Sequence, residues 1–187
     1  MSSAISLRSG YPATTLPWLR GRSVVFQVLL VGSAVLLPAL AHTVGAPVRW
    51  LLPMHWPVIL AGLAYGPIAG LAVGVLAPLT SLATSGMPPV PYLYVMIAEL
   101  ALYGLATGWL RERMRWPAWA AVGAALIAGR IVAIAISAAM AGSLEIAAAG
   151  FTPGIPCALA QIALLPPLAR WWVARESGRQ SSRNERE

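Results

Sequence analysis

Residues 91–110, PYLYVMIAELALYGLATGWL, contain one charged residue, Glu99, in twenty positions. A helix needs about 20 predominantly apolar residues to cross the hydrocarbon of a bilayer, so this stretch has the length of a membrane span. Glu99 then sits in its middle. A charge at that depth costs at least ~2.5–3.5 kcal/mol on insertion scales, and such a residue faces a partner, a cavity or a ligand. His55 and Arg130 stand in apolar surroundings of the same kind.

Outward from this stretch the pattern repeats. Apolar segments run over 23–42, 50–65, 67–84, 91–110, 116–141 and 151–173. The second and third are short and joined only by Gly66-Pro67, a turn with helix-breaking chemistry; a single broken hairpin is the alternative there. The chain therefore reads as an all-α membrane protein, a bundle of six transmembrane helices. Residues 1–22 form a cytoplasmic N-terminal segment, 23–173 the membrane domain, and 174–187 a polar tail expected to be disordered and cytoplasmic. Arg8, Arg20 and Arg22 precede an apolar run as they would in a signal peptide, but the run from Ser23 is long enough to be the first span.

Composition agrees. Of 187 residues, 58% are hydrophobic and 10% charged, with mean hydropathy +0.72; a soluble domain carries about 25% charged residues. All 13 basic residues are Arg and all six acids Glu. The net charge of +7 would suit a nucleic-acid partner, but the arginines flank spans, which removes that reading. With the N-terminus inside, Arg8, Arg20, Arg22, Arg111, Arg113, Arg115 and those from Arg170 onward are cytoplasmic, and only Arg49 lies outside. That asymmetry places both termini in the cytoplasm. The single Cys157 excludes an intrachain disulfide and a multi-cysteine metal site, and no metal or other cofactor is implied. P-loop, G-x-S-x-G and H-E-x-x-H patterns are all missing, so an enzyme is not expected.

Helical rise puts His55, Glu99, Arg130 and Gln161 about 8, 12, 16 and 15 Å below the outer ends of their spans. Four polar side chains on four helices thus meet in the outer half of the bundle. Glu99 shares a helical stripe with Tyr92, Met96 and Tyr103, and aromatic walls with few polar groups suit a small-molecule pocket. Plainer roles stay open: Glu99 and Arg130 as an ion pair locking two helices, His55 capping backbone freed between Pro53 and Pro57, Gln161 as interhelical glue, Cys157 as an apolar filler. Gly66, Gly70 and Gly74, with Gly104 and Gly108, let backbones approach closely.

These residues also carry a resemblance. Leu52-Pro53-Met54-His55-Trp56-Pro57-Val58-Ile59-Leu60-Ala61-Gly62 is followed by Tyr65-Gly66-Pro67, the Gly70/Gly74/Pro78 series, Ser85-Gly86-Met87-Pro88-Pro89, Glu99-Leu100-Ala101-x-Tyr103-Gly104 and Ala128-Gly129-Arg130-Ile131-Val132. In that order, over residues 22–172, they resemble the substrate-binding (S) component of energy-coupling-factor (ECF) vitamin transporters. The resemblance implies six helices with an outward-facing ligand pocket in a prokaryotic plasma membrane. It further implies a water-soluble vitamin as substrate, energised by a membrane coupling protein and two ATPase subunits. Arg130 would then bind or balance an anionic group such as a nicotinate-like carboxylate, Glu99 accept hydrogen bonds or fix Arg130, His55 contact a polar ligand group, and Tyr92 and Tyr94 line the rim. A stand-alone facilitator and a structural assembly protein are the competing classes.

Overall fold

The computed structural model describes residues 15–184, and all its regular structure is helical. Residues 1–14, most of the expected N-terminal segment, and 185–187 lie outside the described part. The helices are α1 (Gly21–Thr43), α2 (Val48–Leu51), α3 (His55–Ser85), α4 (Val90–Glu112), α5 (Ala118–Ala141), α6 (Leu144–Phe151) and α7 (Ile155–Asn184), with a 3-10 turn at Thr152–Gly154 before α7. Proline starts α4 and α5: Pro89 and Pro117 stand at the cap positions, where a missing amide donor is harmless. Ser143 caps α6, its hydroxyl accepting from the Ile146 amide.

Five stretches among the described residues are long and apolar enough to cross a membrane: α1, α3, α4, α5, and Leu144–Arg179 taken together. The expected six are not reproduced as drawn. The segment from 50 to 65 is not one helix, because Leu52 adopts a left-handed conformation (φ 42°) and separates α2 from α3. The rest of that segment and the next expected span, 67–84, fall together within α3, which is interrupted at Gly66 (φ 84°, ψ −175°), a conformation essentially confined to glycine. This divides α3 into an arm over 55–65, about 16 Å long, and an arm over 67–85, about 28 Å.

The arms fold back on each other. A Cβ at either Gly62 or Gly70 would overlap the Gly104 carbonyl of α4. In an uninterrupted helix those two positions lie about 12 Å apart, so the chain reverses at Gly66. A Cβ at Gly74 would meet the Leu100 backbone, and one at Gly108 would meet Gly66 and Pro67. Both arms thus pack on one face of α4, backbone against backbone, with glycine providing the clearance.

This hairpin is the centre of the bundle. Val58, Ile59, Ala61, Leu63, Val73 and Ala77 are buried in it and join Leu100 and Tyr103 of α4, Val122 of α5 and Leu165 of α7 in one cluster. α1 is peripheral: only Ser23 and Ala34 are buried, and Val28, Leu29, Leu36 and Leu40 are exposed. At the Gly66 end, the Leu16 amide donates to the Ala64 carbonyl (2.7 Å) and Trp172 Nε1 to the Tyr65 hydroxyl (2.8 Å). Glu176 there pairs with Arg22 (3.2 Å) and Arg179 (3.1 Å). Residues from 174 onward, expected as a disordered tail, continue α7 as helix to Asn184. Absent from the sequence reading is α6, eight residues that bring Phe151 back over the bundle.

Candidate functional site

Glu99 faces inward from the middle of α4 and is 4% exposed. One of its oxygens, Oε1, is the point on which three side chains converge. Tyr103, one turn further along α4, donates its hydroxyl at 2.5 Å. Arg130 of α5 brings Nη1 to 3.1 Å. His55, first residue of α3, holds Nε2 at 3.9 Å, beyond hydrogen-bonding distance. The local sequence explains the convergence. Gly129, next to Arg130, leaves space that the Tyr103 ring occupies; a Cβ there would overlap the ring. The Tyr103 and His55 rings lie 5.4 Å apart, tilted by 49°.

Arg130 is held on a second side. Its guanidinium lies over the Phe151 ring, 4.8 Å from the centroid, a cation–π contact supplied by α6. A partly exposed guanidinium is thereby fixed between a carboxylate and an aromatic face. Beside this group, the Leu51 carbonyl accepts from Trp56 Nε1 (3.1 Å) and Cys157 Sγ (2.8 Å). Gln161 Nε2 reaches Cys157 Sγ at 3.5 Å.

The polar inventory does not close. Both ring nitrogens of His55 and Oε1 of Gln161 are buried without a hydrogen-bond partner. Buried polar atoms are paired in the great majority of cases, and each exception calls for an explanation. Among the described residues no group of three or more His, Cys, Asp or Glu could hold a metal ion.

Residues 22–169 match the family model of the ECF transporter substrate-specific component, a span that includes every residue just described. The chain belongs to that family. Comparison with curated proteins and with solved structures yields no match. ECF substrate-specific components are transporter subunits that work with a substrate and with the partners of an ECF module. This one is a multi-pass membrane protein by its family and its apolar helices.

Of the residues singled out from sequence, His55, Glu99 and Arg130 come together in this ECF component, and Gln161 lies beside them through Cys157. Tyr92 and Tyr94 do not join them. Each is 64% exposed in the first turns of α4, with no hydrogen bond or ring contact to the Glu99 group. The sequence reading missed Tyr103 as donor to Glu99, although its i+4 spacing carried that signal. It also missed Phe151. Nothing in the local pattern links a phenylalanine to an arginine on another helix.

Proposed function

We propose that this ECF component binds a small, water-soluble, vitamin-like molecule at the Glu99 group and passes it to a membrane coupling protein driven by two ATPase subunits. The observation that carries the ligand assignment is the set of unpartnered buried atoms. Both nitrogens of the His55 ring, which stands 3.9 Å from the fixed Glu99–Arg130 pair, are unpartnered, and so is Gln161 Oε1. A ligand offering donors and acceptors there would satisfy groups that the fold leaves unpaired. His55 contacts a polar ligand group, Arg130 an anionic one such as a carboxylate, and Glu99 holds Arg130 in place. Gln161 supplies a directed acceptor, and Tyr92 and Tyr94 form the outer rim.

The chain crosses a prokaryotic plasma membrane six times, with both termini in the cytoplasm. The reversal at Gly66 supports this topology: residues 44–65, α2 included, make the second crossing and the 67–85 arm the third. Charge supports the orientation. Arg20, Arg22, Arg111, Arg113 and Arg115 flank helix ends on the Gly66 side of the bundle, and Arg170 and Arg175 lie along α7 towards that side.

The test is a thermal-stability screen of the detergent-solubilised protein against water-soluble vitamins, with mass spectrometry of any co-purifying molecule. A ligand at 100 times its Kd adds about 2.7 kcal/mol to the folded state. One vitamin should stabilise the wild type and fail to stabilise a folded Arg130→Met variant. A screen in which no vitamin stabilises, or in which the variant responds like wild type, overturns the assignment.

A further inference from the structure

At the Gly66 end of the bundle, a groove of about 460 Å³ opens between α5 and α7. Its walls are Trp119 of α5 and Ile162, Ala163, Pro166 and Pro167 of α7, and Arg170 stands at its mouth. From Arg170 to Ile162 the groove runs about 12 Å along α7, so it starts at a charged rim and continues into the membrane-facing body. Pro166 and Pro167 take two amide donors out of the middle of α7 and leave flat apolar rings on this face.

Two arginines stand at the mouth. Arg111, at the end of α4, lies within electrostatic reach of Arg170. One of its nitrogens donates to the Trp116 carbonyl at 3.3 Å. Among the described residues neither guanidinium has a carboxylate partner. Of the acids at this end, Glu176 is committed to Arg22 and Arg179, and a Glu112 oxygen lies beside Gly66. Trp109, Trp116, Trp119 and Trp171 are exposed at this end, the arrangement tryptophan adopts at a bilayer–water boundary. Two arginines without a carboxylate partner among the described residues, at that boundary and beside an apolar groove between helices, complement one phosphate with a hydrocarbon tail.

We propose that the α5/α7 groove binds an anionic phospholipid, with its phosphate between Arg170 and Arg111 and an acyl chain along Trp119, Ile162 and Pro166. A free phosphate would have no use for the apolar walls. This site is separate from the Glu99 group, so it stands or falls independently of the vitamin assignment.

Native mass spectrometry of the full chain, released from micelles containing equal phosphatidylglycerol and phosphatidylcholine, tests the proposal. The wild type should retain phosphatidylglycerol with a preference of about tenfold or more. An Arg111→Gln/Arg170→Gln variant should lose the preference. Ile162→Trp, which fills the groove and keeps both charges, should lower lipid retention in a protein whose helicity by circular dichroism matches wild type. Equal retention of the two lipids by wild type, or unchanged preference in both variants, overturns the proposal. Displacement of phosphatidylglycerol by millimolar inorganic phosphate alone would likewise overturn it, because the apolar walls would then contribute nothing.

Discussion

At Glu99 a single carboxylate oxygen receives a hydroxyl and a guanidinium from two different helices, with an imidazole from a third just out of range. Removing one member of a buried charged pair leaves the other unpaired, which costs more than removing both. Glu99→Gln and Arg130→Met should therefore each destabilise the protein, and the double variant should recover part of the loss. The coupling energy expected from thermal unfolding of the four proteins is about 0.5–3 kcal/mol; a coupling of zero would mean that the pair is not energetically real. Tyr103→Phe removes a hydrogen bond to a charged acceptor and should cost about 1.5–3 kcal/mol in the same measurement. The sequence made the three ionisable residues visible, because a charge in an apolar run stands out against its neighbours. It left open whether Glu99 and Arg130 pair, since pairing depends on the rotation of two helices about their axes.

Among the elements, α3 and α4 depend on glycine most heavily. Gly62, Gly70 and Gly104 bring three backbone segments to one level, and the Gly104 carbonyl occupies the space where side chains would otherwise be. Gly104→Ala should destabilise the bundle by about 1–3 kcal/mol through overpacking. Gly32→Ala on α1, where nothing lies within 4 Å, should be neutral or slightly stabilising. Unfolding of the two variants in one detergent compares them directly, and equal stabilities would refute the close packing. The glycine spacing was legible in the sequence as a packing signal. The turn at Gly66-Pro67 was legible too, as helix-breaking chemistry; what the sequence did not show is that both arms of α3 meet the same residue of α4.

For the whole molecule, the decisive property is the number of crossings. If the chain reverses at Gly66, tags at the N- and C-termini should be cleaved only by protease on the cytoplasmic side. A protease site inserted at Gly86 should be cut only from outside. If α3 were one continuous span, the two termini would lie on opposite faces, and proteolysis of oriented vesicles would show it at once. The two sites belong to different levels of the same bundle. The Glu99 group lies on one side of the Gly104 packing layer and the α5/α7 groove near the Gly66 end.

By itself the sequence determined the membrane setting and the helical class, and it singled out the charges in apolar runs. Those follow from composition and from the fixed rise of a helix, which are local quantities. Only the tertiary structure decided that Tyr103 and Phe151 hold the charged pair, that Tyr92 and Tyr94 stand exposed, and that both arms of α3 meet α4 at Gly104. Each of these depends on how one helix is rotated against another, and that rotation is set by side-chain and backbone packing across the bundle rather than by any single segment.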